Sequence, residues 1–204
     1  MNILILDYGM GNIKSVYKRL YKNDINLRVS SLPNDIEWAD KIVLVGVGHF
    51  KNAMDNLMQL NLLEELNNFV MNKKKPILGI CLGMQLMCDF SEEGNVNGLG
   101  WIRAKSKKFT TNNKLKFKIP HIGWNQIKIK KDSNLLNKIE ELSEFYFVHT
   151  YFVEPLNKDI VLSQTDYIHD FCSAFQKDNI IGTQFHPEKS HQAGEIFLKN
   201  FIDI

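Results

Sequence analysis

The stretch that most constrains this chain is Pro76-Ile77-Leu78-Gly79-Ile80-Cys81-Leu82-Gly83-Met84-Gln85-Leu86. Its first half, after the lysines at 73–75, is a short apolar run that reads as a strand buried on both faces. From Leu82 to Cys88 the apolar residues fall at helical spacing. Between the halves lies Gly-x-Cys-x-Gly, with the cysteine where strand becomes helix. This is the cysteine form of a nucleophile elbow, a tight turn that lifts a reactive atom above the carboxyl edge of a sheet. Gly79 and Gly83 suit it, because side chains there would crowd the turn and an incoming substrate. A helix N-terminus also favours thiolate over thiol. The alternative reading is an inert buried cysteine on a glycine-containing turn.

The rest of the N-terminal half repeats the strand–turn–helix pattern. Asn2–Leu6 is apolar, Asp7-Tyr8-Gly9-Met10-Gly11-Asn12 is a turn, and Ile13, Val16, Tyr17 and Leu20 follow at helical spacing. Gly9-x-Gly11 is not a dinucleotide fingerprint, since Lys14 stands where the third glycine belongs. Residues 27–30 and 41–45 read as strands, Gly46-Val47-Gly48 as a turn, and 53–72 as helix, broken near Asn61. The pattern predicts an α/β fold: a central, mostly parallel sheet flanked by helices. Ligands in such sheets sit outside the carboxyl ends of the strands. The turns at Asp7, at 46–48 and at Cys81 all fall at that edge.

The C-terminal half adds an antiparallel β region. Residues 103–131 favour short strands whose alternating lysines (Lys105, Lys107; Lys114, Lys116, Lys118; Lys128, Lys130) form a solvated outer face. Strands are predicted at 145–153, 160–165, 171–176 and 180–185, with a turn at Lys177-Asp178-Asn179 between the last two. Ala193, Phe197 and Phe201 mark a final helix. With no repeat, low-complexity segment or linker, the whole of 1–204 reads as one domain.

Composition narrows the function classes. With 24% charged residues and a net charge of +2, no region is basic enough for nucleic acid. The cysteines Cys81, Cys88 and Cys172 form no Cys-x-x-Cys pair, which argues against a disulfide framework or a structural zinc site. Cys88, about two helical turns after Cys81, reads as packed. No apolar run is long enough to span a membrane, and the run ending at Leu6 is interrupted by Asp7 rather than forming a signal peptide. A cytoplasmic protein is expected.

A thiolate nucleophile needs a base, and the base needs a partner that orients it. Phe185-His186-Pro187-Glu188 ends an apolar strand, and Pro187 holds His186 extended. Residues two apart in an extended segment face the same side, so His186 and Glu188 share a pocket or form a surface ion pair. An oxyanion needs preorganised N–H groups, for which Leu82 and the Val47–Gly48 turn are candidates. That turn is otherwise an ordinary strand-to-helix connection.

Gly-Ile-Cys-Leu-Gly-Met-Gln at 79–85 with Phe-His-Pro-Glu-Lys-Ser at 185–190 resembles the class I (triad) glutamine amidotransferases. Asp-Tyr-Gly-Met-Gly-Asn at 7–12, Gly-Val-Gly at 46–48, Pro-His-Ile-Gly-Trp-Asn at 120–125 and Tyr-Phe-Val-His-Thr-Tyr at 146–151 extend the likeness over the whole chain. Within the family they are similar to glutaminase subunits that serve imidazole glycerol phosphate synthesis in the histidine pathway. The resemblance implies a Cys81–His186–Glu188 triad that releases ammonia from L-glutamine. It implies that Gln85 and Glu93, with the backbone around His149, Thr150 and Tyr151, hold the substrate. It further implies a heterodimer with a barrel-shaped cyclase subunit that receives the ammonia through an internal passage, and Asn12 and Trp124 align with stretches that face that cyclase. No metal or organic cofactor is implied. Val45 replaces a usual proline before the Gly-Val-Gly turn, and His49 replaces a small residue after it; His49 reads as a surface residue at a helix start. The segment Lys189-Ser190-His191 also resembles paralogous glutaminases that supply ammonia for modifying surface sugars. A third possibility is an idle homologue that only binds and stabilises a synthase.

Overall fold

The computed structural model describes residues 1–21 and 25–204. The chain runs β1 (Asn2–Leu6), α1 (Ile13–Leu20), β2 (Asn26–Ser30), α2 (Pro33–Trp38), β3 (Lys41–Gly46), α3 (Phe50–Gln59) and α4 (Leu63–Asn67). A π-helical turn at Asn68–Asn72 leads to β4 (Ile77–Cys81), α5 (Leu82–Leu86), β5 (Cys88–Ser91), β6 (Val96–Asn97) and β7 (Ile102–Lys108). Then come β8 (His121–Gln126), β9 (Lys128–Ile129), β10 (Glu144–His149), β11 (Tyr151–Pro155), β12 (Val161–Asp166), β13 (Asp170–Lys177), β14 (Ile180–Thr183) and α6 (His191–Asp203).

Among the described residues, one sheet has the order β2-β1-β3-β4-β14-β13-β11-β7-β5-β6, with β12 and β9 attached to β13. The pairs from β2 to β14 are parallel, and β14 then hands over to antiparallel neighbours β13, β11 and β7. β8 and β10 form a separate antiparallel pair. Alternation along β1 shows how the layers form. Leu4 and Leu6 pack on one side with Phe50, Ala53 and Leu57 of α3, while Ile3 and Ile5 pack on the other with Val16 of α1 and Phe197 and Phe201 of α6. Lys41 lies under the end of α6, where its ammonium donates to the carbonyls of Phe201 at 3.0 Å and Ile202 at 2.8 Å.

The elements depart from the sequence expectation at several places. The helix after Cys81 stops at Leu86, and Cys88 opens a strand instead. The carbonyls of Leu86, Met87 and Cys88 accept the N–H groups of Leu99, Trp101, Ile102 and Gly100, so chain pairing replaces the next helical turn. In a fully buried segment apolar spacing cannot tell the two outcomes apart. The span 145–153 is not one strand: it breaks at Thr150, with β10 in the small sheet and β11 in the large one. Lys105 and Lys107 do face outward from β7, but Lys114–Lys118 is a loop in which Asn113 accepts from the backbone N–H groups of Lys116 and Phe117. The last strand stops at Thr183, two residues short of Phe185: Gln184 N–H still donates to Ser173 of β13, and the chain then leaves the sheet as His186 N–H turns to Tyr146 of β10. Finally, α2 has no counterpart in the reading, although Pro33 at its first turn is a recognised start signal. The helix break near Asn61 is present, with Asn61 at φ 55°.

Candidate active site

Parallel pairing brings the functional segments together. In register, Gly46 of β3 sits beside Cys81 of β4, and Thr183 of β14 sits beside Ile80. The three strands therefore end at the same edge, with Cys81 central, the Gly46-Val47-Gly48 turn on one side and the Gln184–His186 segment on the other. Cys81 itself has φ 55° and ψ −107°, a conformation that costs an L-residue on the order of 1–3 kcal/mol. The flanking glycines make that turn possible by close packing. A Cβ on Gly83 would lie 1.8 Å from the carbonyl oxygen of Leu44, and one on Gly79 would lie 2.7 Å from the Gly83 backbone. They clear the turn and the neighbouring strand rather than the substrate's path, since neither borders the cavity above Cys81.

That cavity has a volume of about 240 Å³ and is lined by Val47, Gly48, Cys81, Leu82, Gln85, Glu93, His149, Thr150 and Tyr151, together with Pro120 and Val148. Glu93 accepts the backbone N–H of Phe50 at 2.8 Å, so one carboxylate oxygen caps α3. Gln85 donates both amide hydrogens, to the carbonyl of Tyr151 at 3.0 Å and to Gln184 Oε1 at 3.1 Å, which leaves its own carbonyl oxygen for a ligand. Gly48, at φ +123°, allows the turn to pass against Met10.

His186 and Glu188 stand outside the cavity lining, both buried. His186 Nδ1 lies 2.8 Å from Glu188 Oε1, while His186 Nε2 and Glu188 Oε2 have no hydrogen-bond partner. Burial alone would lower the imidazole pKa; its neighbours Cys81 and Glu188 outweigh that and hold His186 well above its ordinary value. The Cys81 thiol is directed at the carbonyl of Val148, 3.8 Å away, and Gln184 Nε2 approaches the same sulfur at 3.6 Å. Cys81 and the buried His186–Glu188 pair thus lie together at this edge of the sheet.

A second histidine pair supports the far wall. His149 Nδ1 lies 2.8 Å from the carbonyl of Tyr151, and His149 Nε2 lies 3.0 Å from His121 Nδ1. Desolvation pushes His149 down to about 3, helped by its neighbour His121, and pushes His121 down to about 4. Both are neutral, so neither competes with His186 for a proton at physiological pH.

The family model for "Glutamine amidotransferase class-I" matches residues 4–204. This chain belongs to the class I glutamine amidotransferases. Similar proteins include "Imidazole glycerol phosphate synthase subunit HisH 2" of Methanococcus maripaludis, 47% identical over 98% of both chains. The subunit HisH of Pelagibacter ubique is 44% identical over 100% of both. Among solved structures, PurLQS from Thermotoga maritima aligns with a TM-score of 0.75 at 15% identity, covering 99% of this chain and 97% of that one, which speaks to the fold alone.

In this amidotransferase, two positions singled out in the sequence lie away from the cavity. Asn12 caps α1, accepting from Ser15 N–H at 3.4 Å. Trp124 is 45% exposed and stacks on His191 with ring centroids 4.8 Å apart. His49 is exposed and caps α3, accepting from Lys51 N–H at 3.2 Å, while Val45 is buried in β3 opposite Ile80. Sequence reasoning missed Gln184, Val148 and His121. Gln184 had a signal: it stands two residues before His186 on an extended segment, the same spacing that selected Glu188. Val148 and His121 had none: the Val148 carbonyl meets the thiol at the end of β10, just before the chain leaves the small sheet at Thr150, and His121 reaches His149 only through the pairing of β8 with β10.

Proposed function

We infer that this chain is the glutaminase subunit of imidazole glycerol phosphate synthase, supplying ammonia to a cyclase in histidine biosynthesis. The observation that carries the reading is a cysteine at a sheet edge beside a buried His186–Glu188 pair, in a chain that matches HisH subunits end to end. In this reading Cys81 Sγ gives its proton to His186 and attacks the side-chain carbonyl carbon of L-glutamine. The C–N bond then breaks as His186 returns the proton to the leaving nitrogen, giving ammonia and a thioester. Water, deprotonated by His186, attacks the thioester; the thiolate leaves and glutamate is released. Glu188 fixes the imidazole tautomer and stabilises its charged form.

The Leu82 N–H and the Val47–Gly48 turn border the cavity next to Cys81, where an oxyanion would develop. Glu93 suits the substrate's ammonium group, and the free carbonyl oxygen of Gln85 suits an N–H of the same molecule. Thr150 and Tyr151 form the wall of the substrate site with the His149 backbone. The chemistry needs no metal or organic cofactor, and the whole of 1–204 serves as one catalytic domain. No helix of the described residues is long and apolar enough to cross a membrane, in keeping with a cytoplasmic biosynthetic enzyme.

The partner in this reading is a barrel-shaped cyclase, bound as a heterodimer on the side that carries Asn12 and Trp124. Opposed in register on β8 and β10, Ile122 faces Val148 and Trp124 faces Tyr146, so apolar side chains line an outer strip of the small sheet. Ammonia needs a protected route because in neutral water it is captured as ammonium. The deciding experiment is glutamate release with the cyclase subunit, with and without its nucleotide substrate. Strong stimulation by the nucleotide is expected. A complex that forms but ignores the nucleotide would move the acceptor to a surface-sugar intermediate. Absence of glutamate release under all conditions would leave only a binding subunit.

A further inference from the structure

We propose that Gln184 takes part in the reaction as a hydrogen-bond donor to the Cys81 sulfur, holding it as the thiolate and in line with the base. The proposal rests on Cys81 being the nucleophile. Gln184 is fully buried and lies outside the cavity lining, so it acts on the enzyme's sulfur and not on the substrate. Its Nε2 is 3.6 Å from Cys81 Sγ.

The direction of that contact is dictated from a distance by groups that have no choice. The Tyr151 carbonyl only accepts, so it fixes Gln85 with its NH₂ inward and His149 with hydrogen on Nδ1. The second hydrogen of Gln85 Nε2 then points at Gln184, which must answer with its oxygen, 3.1 Å away. A flipped Gln184 would set two NH₂ groups against each other. Its own NH₂ is therefore turned to the sulfur.

The same logic continues outward. With hydrogen on Nδ1, neutral His149 accepts at Nε2 from His121 Nδ1. His121 Nε2 in turn faces Asn125 Nδ2 at 3.2 Å, and Asn125 also donates to the carbonyl of Asp166 at 2.9 Å. Every donor along this buried line has an acceptor, so the arrangement has one register. A charge-assisted bond from an amide to a thiolate is of the strong class.

Two variants of the full chain separate donor chemistry from packing. Gln184→Met keeps the length of the side chain and removes the donor without adding a charge. Gln184→Leu removes the donor and shortens the side chain. The pH dependence of iodoacetamide alkylation at Cys81, located by mass spectrometry, reports the thiolate directly. In both variants the alkylation midpoint is expected to rise by about one pH unit and the rate near neutral pH to fall about tenfold. In the complex, kcat for glutamate release should fall by a similar factor with KM changed less than about twofold. An unchanged midpoint and kcat in Gln184→Met, with or without a loss of thermal stability, would reduce Gln184 to core filling and overturn the proposal. If the wild-type chain releases no glutamate while the midpoint still shifts, the glutaminase reading fails and the Gln184–Cys81 contact stands.

Discussion

His186 and Glu188 are joined at 2.8 Å with both side chains withdrawn from water, and the imidazole's other nitrogen is left without a partner beside Cys81. A carboxylate buried against an imidazole holds its tautomer and supports its charged form at the moment of proton transfer. Glu188→Gln keeps the size and removes the charge. It is expected to lower kcat for glutamate release by about 10²–10⁴-fold with a small change in KM. Steady-state kinetics in the presence of the cyclase checks this; a loss confined to KM would contradict the orienting role.

Cys81 is held at φ 55° and ψ −107° by its neighbours. Cys81→Ala should abolish glutamate release and leave binding of the cyclase intact, measured by titration calorimetry. Cys81→Gly should be equally inactive yet more stable than Cys81→Ala by about 1–3 kcal/mol, because glycine relieves the strained backbone. Chemical unfolding of the pair reads the strain without any contribution from the thiol. Equal stabilities would mean that the turn stores none.

Gly83 is the tightest contact under the elbow, since an added Cβ would stand 1.8 Å from a strand carbonyl. Gly83→Ala must push α5 off β3, and a loss of at least about 3 kcal/mol is expected. Thermal unfolding tests it. The same substitution at Gly123, where an added Cβ meets no atom within 4 Å, serves as control, its φ of +131° adding only local strain.

His121 and His149 give the fold an acid-sensitive element. Their folded pKa values, about 4 and about 3, lie below the ordinary 6.5 because burial disfavours the charged ring. An unfolded chain takes up these protons as pH falls through 6.5, while the folded chain resists until about 4 and below. Stability is therefore unaffected by the pair above 6.5 and is lost as pH falls from there toward 4. Each histidine contributes a slope of up to about 1.4 kcal/mol per pH unit. Replacing His121 with Gln should remove one of the two contributions, seen as a shallower loss of denaturant midpoint between pH 6 and 4 (roughly halved for this pair). An unchanged slope would show that the rings are protonated in the fold.

Much of this protein was decided by local sequence. The alternation of apolar runs and helical spacing through β4 specified a parallel sheet, and Gly-x-Cys-x-Gly placed Cys81 at its edge before any contact was known. Pro187 kept His186 extended, but Pro187–Lys189 turns as a 3-10 helix, so the His186–Glu188 contact that spacing suggested is made by a tight turn and not by an extended segment. These features were legible because each depends on backbone preferences within a few residues. What the tertiary structure decided lies where burial hides the pattern or where the chain changes partners. Cys88 became a strand because residues 99–102 claimed the carbonyls around it. Residues 145–153 split at Thr150 because β8 and β7 belong to different sheets, and that split turned the Val148 carbonyl toward the thiol and His149 toward Tyr151. Gln184 meets Cys81 only because β14 and β4, about a hundred residues apart, lie side by side in register. Spacing along a chain carries no information about such distant pairings; the energy of satisfying buried polar groups selects them once the strands are in place.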